Sequence, residues 1–321
     1  MAERTKIEWT DATVNFWWGC TKVGPGCDHC YAEAVDRRYG SSHWGQGVDR
    51  RKIKGATALI QRLNADHSKW DAAHAYGLLP VDCGLHRRVF IQSMSDLFDL
   101  DVDLDWFEEG WRLIEACDRL DIQIVTKRVS AVAKRLAAIG RTIWPSHTGL
   151  MITVVNQEEA YRDVPRLIAL KRGFNIPWVG LSIEPMLGSI VLTPWLADLD
   201  WIITGGESGS HARGAVRSGF RSVRDQCATF GVAYLHKQNG EFIDADEWML
   251  HLTRGGANQA YGIDYNPAFP LNFAEAERLA AYAGFPFEHQ SDGSTLIRVG
   301  KRYAGRLLYG VEHNAFPETR R

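Results

Sequence analysis

Between residues 86 and 240 one pattern recurs: a short apolar run, a polar cluster, then a stretch with helical periodicity. The apolar runs occupy 88–91, 122–125, 150–155, 179–183, 201–203 and 232–235. They are rich in β-branched residues and bounded by turn signals, the make-up of buried strands. Trp106, Phe107, Trp111, Ile114, Cys117 and Leu120 recur near a 3.6-residue spacing, the apolar stripe of a helix. Val129, Val132, Ala133, Leu136 and Ile139 repeat that stripe, with Ser130 as the expected N-cap and Gly140 as the stop. Phe220, Val223 and Cys227 make a third face, closed by Gly231. Strand–helix alternation at this spacing implies right-handed crossovers and a parallel sheet. Six such units predict an α/β fold built as a parallel (β/α) barrel or partial barrel, with an open doubly wound sheet as the alternative.

The flanks differ. Residues 40–85 carry Gly, His and Trp around a helical stretch at 56–63. Residues 241–321 mix short patterns with Gly255-Gly256 and several prolines, and read as a small C-terminal accessory region on a barrel spanning 1–240. The 321 residues are 45% hydrophobic, enough for a sizeable core, and the net charge of −2 gives no global basic field. The longest apolar runs are strand-length, so no membrane span is expected. The charged start Met1-Ala2-Glu3-Arg4-Thr5-Lys6 lacks a signal-peptide core, which predicts a cytoplasmic protein.

In a parallel barrel the strand C-termini share one face, and that face carries the active site. Here the runs lead into Gln92-Ser93-Met94-Ser95-Asp96, Thr126-Lys127-Arg128, Asn156-Gln157, Glu184-Pro185, Gly205-Gly206-Glu207-Ser208-Gly209 and His236-Lys237-Gln238. Polar residues also simply open loops and cap helices, and Ser130 and Asp105 are read that way. Lys127, Glu184 and Glu207 are read as lining a site, because an acid or base directly after a barrel strand faces the cleft. The glycines of 205–209 let backbone N–H groups approach an anion, and Glu207 can accept from an ammonium or a ribose hydroxyl.

Three of the six cysteines fall within eleven residues, as Cys20, Cys27 and Cys30 in a C-x6-C-x2-C spacing. In a reducing compartment such a cluster reads as metal binding before it reads as disulfides. Gly24-Pro25-Gly26 supplies a turning loop, and the C-x2-C pair presents two thiolates to one site. Three thiolates on a four-iron cluster leave one iron open. Zinc is the rival; it needs a fourth ligand, from His29 or His43, and His29 is poorly placed inside the C-x2-C loop. Cys83, Cys117 and Cys227 are scattered and read as core or incidental residues.

An ordered series of motifs resembles a phage-associated family of largely unknown function, the three-cysteine-motif family, regarded as radical-SAM-like and distantly similar to spore photoproduct lyase. The series runs from Lys6-Ile7-Glu8-Trp9-Thr10-Asp11-Ala12-Thr13 through Gly19-Cys20-Thr21-Lys22-Val23 and Cys27 to Glu33. It continues with Ser93-Met94-Ser95-Asp96-Leu97-Phe98, Thr126-Lys127-Arg128, Ser182-Ile183-Glu184-Pro185-Met186-Leu187-Gly188 and Gly205-Gly206-Glu207-Ser208-Gly209. Lys237-Gln238, Val299-Gly300-Lys301 and Ala304-Gly305-Arg306-Leu307-Leu308 complete it. The chain departs from the family pattern at Val14-Asn15-Phe16, at Val154-Val155-Asn156 and at Asn239, which follows Lys237-Gln238.

The resemblance implies a barrel of radical-SAM type and favours iron–sulfur over zinc. It implies a [4Fe–4S] cluster on Cys20, Cys27 and Cys30 that binds S-adenosylmethionine and cleaves it to a 5′-deoxyadenosyl radical. Ser93, Ser95 and Asp96 would then hold the methionyl amine and Lys127 its carboxylate. Asn156, Ser182 and Glu184 would meet the ribose, and Gly205, Gly206 and Glu207 would line the cofactor or the substrate. The implied partners are a reductant of flavodoxin or ferredoxin type and a small-molecule or nucleoside substrate, with nucleic acid possible. The alternative from the residues alone is a zinc-stabilised nucleic-acid-binding protein, supported by Arg50-Arg51-Lys52 with Lys54, by Arg87-Arg88 and by 12 tryptophans.

Overall fold

The computed structural model describes residues 1–66 and 86–317, apart from 216, 246, 249–276, 279, 282, 291–292 and 309. Cys83 and Gly255-Gly256 lie outside the described residues. Seven strands form one sheet in the order β1-β4-β5-β6-β7-β8-β9, every neighbouring pair parallel. They are β1 (Ala12–Thr13), β4 (Arg87–Ile91), β5 (Leu120–Thr126), β6 (Thr148–Thr153), β7 (Val179–Ile183), β8 (Trp201–Gly205) and β9 (Ala233–Gln238). All six apolar runs are therefore strands of one parallel sheet. The edge strand β1 carries no apolar run, which hid it from the pattern.

Between the strands run α3 (Leu104–Ala116), α4 (Val129–Ala138), α5 (Gln157–Phe174) and α6 (Arg217–Phe230), after the N-terminal α1 (Tyr31–Arg38) and α2 (Ala56–Ala65). Helix α4 begins two residues earlier than expected. Arg128 occupies its N-cap and Ser130 lies inside the first turn, because the Arg128 N–H is already held by Thr126 Oγ1 at 2.9 Å. Gly140 ends it with φ +67°, a conformation that side chains with a Cβ disfavour.

Period-two alternation divides the sheet's faces. Val89, Ile91, Ile122, Ile124, Leu150, Ile152, Leu181, Ile183 and Ile202 pack under the helices in the main core. Phe90, Met151, Trp201, Ile203 and Leu235 turn to the other face with Trp9 and Trp178. Trp9 packs at a tilt against Phe90 of β4 at 4.7 Å and meets Trp201 of β8 edge-on at 6.3 Å. In a flat sheet those strands would stand about 19 Å apart, four strand spacings. The contact requires the sheet to curl into a half-barrel around this aromatic plug. Phe316 closes the same end, 5.3 Å from Trp201 and beneath the Arg88 guanidinium at 4.1 Å.

The described residues also form two small sheets. A ribbon pairs β2 (Trp17–Trp18) with β3 (Arg51–Lys52), and an antiparallel sheet orders β10 (Phe242–Asp244), β12 (Thr295–Arg298) and β11 (Phe287–His289). The latter packs Ile243 and Ile297 with Trp248, Ala280, Val299 and Ala304, the last in the short α7 (Lys301–Ala304). Among the described residues no helix is long and apolar enough to cross a membrane.

Candidate functional site

The cysteine segment lies across the C-terminal ends of the sheet strands. It leaves β2, turns through a short 3-10 helix at Pro25–Cys27 and enters α1 immediately after Cys30. Gly19 N–H donates to Met94 O at 3.3 Å, and the Tyr31 hydroxyl donates to Ser93 O, both just beyond β4. Arg128, beyond β5, donates from Nη2 to Thr21 O at 2.6 Å and from Nη1 to Cys20 Sγ at 3.4 Å. Gly26 packs so closely that a Cβ there would stand 2.8 Å from Val155 Cγ1, beyond β6. His29 Nδ1 lies 3.0 Å from Glu207 Oε2, beyond β8. One loop thus touches four strand ends.

Arg213 fastens that loop. Its guanidinium donates to both Glu207 oxygens, at 2.7 and 2.9 Å, and to Asp28 at 3.0 Å and Pro25 O at 2.9 Å. Burial pushes the Glu207 carboxyl up, but the hydrogen bonds from Arg213 and His29 outweigh it and hold the group below the ordinary carboxylate range.

None of Cys20, Cys27 and Cys30 is in a disulfide; Cys27 is buried and the other two are half-buried. Burial pushes the Cys20 thiol up to about 12, with the Arg128 cation pulling the other way. Among the described residues no three His, Cys, Asp or Glu side chains are arranged to hold a metal ion. His43 Nδ1 lies 2.8 Å from Asp36, and His29 faces Glu207, so neither proposed fourth ligand turns to the cysteines through that nitrogen. Three soft donors in one loop, a guanidinium against one sulfur and a closely packed glycine turn fit the donor chemistry of a larger, anionic iron–sulfur centre.

The other candidates stand around the same rim. Lys127 and Thr153 point to the inner face and meet, Nζ to Oγ1, at 3.3 Å; among the described residues no carboxylate pairs with this ammonium. Ser182 is buried, and its neighbours Leu181 and Ile183 belong to the outer core, so alternation turns Ser182 inward. Glu184 accepts from Lys237 Nζ at 2.6 Å. Burial pushes the Lys237 ammonium down, and the Glu184 carboxylate more than restores it, so Lys237 stays charged. A Cβ on Gly205 would stand 3.1 Å from Glu184 Oε2, and one on Gly206 would stand 2.6 Å from the Asn239 carbonyl carbon. These two glycines let the carboxylate and the next backbone lie close.

Four expected ligand groups are already engaged within the protein. Asp96 accepts from Phe98 N, Thr126 Oγ1 and Lys127 N at 2.8–3.0 Å and pairs with Arg128 at 3.2 Å. Asn156 caps α5, accepting from Glu159 N at 2.9 Å. Ser95 donates to Gln92 Oε1 at 2.8 Å and sits 3.0 Å from Trp17 O. Ser93 Oγ is 3.1 Å from Asn15 Nδ2. Sequence reasoning missed Arg128, Arg213, Lys237 and Tyr31 as rim residues. Lys237 and Arg128 stood inside the strand-end clusters; Arg213 lies six residues past Glu207 in a segment without pattern.

The basic run behind the zinc alternative is largely tied up in contacts within the protein, although Arg51, Lys52 and Lys54 stay exposed. Arg50 is buried, paired with Asp99 at 2.9 Å and Asp101 at 3.1 Å. Arg51 covers the Trp18 ring, Lys52 pairs with Glu109, Arg87 donates to Glu3 O, and Arg88 clamps Asp11 through two bonds of 2.8 and 2.9 Å.

A curled parallel sheet with a three-cysteine loop across its strand C-termini defines the class: an α/β half-barrel whose site faces that end. The chain belongs to a family of proteins of unknown function, DUF5131, whose model matches residues 4–317. No curated protein matches. Among solved structures it is similar to a doubly substituted spore photoproduct lyase with bound AdoMet and dinucleoside spore photoproduct, at 13% identity and a TM-score of 0.38, over 89% of this chain and 67% of that one. Spore photoproduct lyase complexed with dinucleoside spore photoproduct follows at 12% identity and 0.35, over 89% and 66%. A singly substituted form of the lyase gives 13% and 0.37, over 95% and 72%. The chain thus spans about two thirds of the length of those proteins. Likeness at this level bears on neither substrate nor chemistry.

Proposed function

We propose that the protein is a radical S-adenosylmethionine enzyme whose Cys20, Cys27 and Cys30 hold a [4Fe–4S] cluster. The observation that carries this reading is the placement of the cysteine loop over four strand ends of the half-barrel, beside an inward-facing rim of Lys127, Ser182, Glu184 and Lys237. When bound, the cluster supplies an electron to the sulfonium of S-adenosylmethionine and starts radical chemistry. The protein's own residues bind and orient. Lys127, which no described carboxylate neutralises, receives the methionyl carboxylate as a charge-assisted contact. Ser93 and the carbonyls around it receive the amine. Ser182 and the Glu184–Lys237 pair meet the ribose, and Gly205 and Gly206 let the adenosyl group approach the backbone. Asp96 and Asn156 act one step back: Asp96 fixes the Thr126-Lys127-Arg128 turn, and Asn156 fixes the start of α5. The aromatic plug of Trp9, Trp178 and Trp201 shuts the far end of the half-barrel to water.

In this reading residues 1–240 form the catalytic barrel and 241–321 an accessory region. The substrate class, a small molecule or a nucleoside free or within nucleic acid, and a flavodoxin- or ferredoxin-type reductant rest on the sequence resemblance alone. Anaerobic reconstitution with iron and sulfide, followed by metal analysis and S-adenosylmethionine binding, tests the proposal. Four irons per chain and a cofactor-dependent change in the cluster's electron paramagnetic resonance are expected. A colourless protein holding one zinc would overturn it.

A further inference from the structure

We infer that Arg128 sets the reduction potential of this site by donating a hydrogen bond to the Cys20 sulfur, an inference that rests on the cluster reading above. Among the described residues, Cys20 is the motif thiol that meets a guanidinium: Arg128 Nη1 stands 3.4 Å from its Sγ. The same side chain holds Thr21 O from Nη2 at 2.6 Å, pairs with Asp96 at 3.2 Å and faces Asp99 at 3.5 Å. It is 9% exposed, so its charge acts through protein rather than through water. The backbone beneath it is fixed as well, with Arg128 N–H on Thr126 Oγ1 and Asp96 holding the two residues before it.

Charge counting sharpens the role. Arg128 and Arg50 share one buried group with Asp96, Asp99 and Asp101: two cations against three carboxylates, before any thiolate is added. Arg128 is therefore the positive charge between the sulfur and the nearest two carboxylates. Adding an electron to a cluster adds negative charge at its ligand sulfurs, and N–H donors and cations there favour the reduced form. Without Arg128, Cys20 would face Asp96 with no cation paired to it and Asp99 with Arg50 alone, and reduction would become harder. Arg128 is a positioning residue in this account, acting on the electron through Cys20. A merely structural arginine would change stability and iron loading while leaving the potential of the loaded protein where it was.

The test uses full-length protein reconstituted anaerobically, without S-adenosylmethionine or substrate. The midpoint potential is read by mediated titration followed by paramagnetic resonance, with iron and sulfide counted in each sample. At equal iron content Arg128→Gln is expected to have the most negative potential, Arg128→Lys an intermediate one and the unmodified protein the most positive. Asp99→Asn, which removes a competing carboxylate and leaves the guanidinium in place, is expected to move the potential the opposite way. Equal potentials across all four proteins at equal iron content would overturn the inference while leaving the cluster reading intact. Should the Arg128 variants fail to load, Asp99→Asn decides: a positive shift upholds the inference and an unchanged potential overturns it. An unmodified protein that takes up no iron would end the cluster reading itself, a distinct result.

Discussion

His29 and Glu207 meet across the cysteine loop: the imidazole between Cys27 and Cys30 lies 3.0 Å from a carboxylate just past β8. Arg213 binds the same carboxylate and reaches on to Asp28 and Pro25 O. The loop is thereby anchored to the sheet through one buried acid. Glu207→Ala should lower stability by about 1.5–3 kcal/mol, the usual range for charged hydrogen bonds, and should open Lys22 to trypsin. Urea unfolding and limited proteolysis read the two effects. The pH sign follows from the lowered Glu207 value. Its contribution is fully present above the unfolded carboxyl value of about 4.3 and fades as pH falls through the lower folded one. The stability gap between the unmodified protein and Glu207→Gln should therefore close in acid; a gap that widens there would contradict the assignment.

His236 gives the opposite kind of group, a histidine kept neutral. Asn239 holds its amide nitrogen on the Ala304 and Gly305 carbonyls and offers its oxygen to His236 Nε2 at 2.8 Å, so Nε2 carries the proton. Nδ1 then accepts from Thr204 Oγ1 at 2.9 Å. Burial drives the value down to about 3. Between the unfolded value of about 6.5 and that folded value, the unfolded chain binds the extra proton. Acidification through this window should cost about 1.4 kcal/mol per pH unit from this residue. His236→Gln should flatten that slope in pH-dependent denaturation; an unchanged slope would place the effect elsewhere.

Gly206 sits where the chain from β8 passes the chain leaving β9. A methyl group there would run into the Asn239 carbonyl, whose carbon would be 2.6 Å away. Backbone cannot rotate aside as a side chain does, so Gly206→Ala should destabilise by about 1–3 kcal/mol, as overpacking does. Gly173→Ala, where nothing lies within 4 Å on an exposed helical turn, is the control and should be neutral or slightly stabilising. Thermal melting of the two variants separates them.

The five described cysteines divide by environment. Cys117, the C-cap of α3, and Cys227, on a face of α6, are buried, and burial raises both thiols, to about 11 and about 12. Alanine at either should keep the brown colour and the full iron content, whereas alanine at Cys20, Cys27 or Cys30 should lose them. Retention of a full cluster by Cys27→Ala with loss in Cys117→Ala would show the ligands to be misassigned.

The parts of the fold written as local pattern were readable from sequence. Six strands announced themselves as β-branched runs, and Gly140 marked the end of α4, because burial on both sheet faces and helix stops leave signals within a few residues. Strand β1 did not, since Ala12–Thr13 is two residues long and its pairing to β4 is a tertiary fact. The site was legible as polar residues after strands, but not in its division of labour. Nothing local distinguishes Asp96, saturated by Thr126, Lys127, Phe98 and Arg128, from Glu184, which holds a single lysine across the rim. Arg213 was invisible for the same reason: its partners lie six residues away in Glu207 and 185 residues away in Asp28.

The most direct measurement is chromatography of the nucleoside products after anaerobic incubation of reconstituted, dithionite-reduced protein with S-adenosylmethionine. The account predicts release of 5′-deoxyadenosine by the unmodified protein, loss of that product in Cys20→Ala, Cys27→Ala and Cys30→Ala, and a sharp reduction in Lys127→Ala at unchanged iron content. A protein carrying a full complement of iron and sulfide that binds S-adenosylmethionine yet never releases the nucleoside, with candidate nucleosides or DNA present, would contradict it.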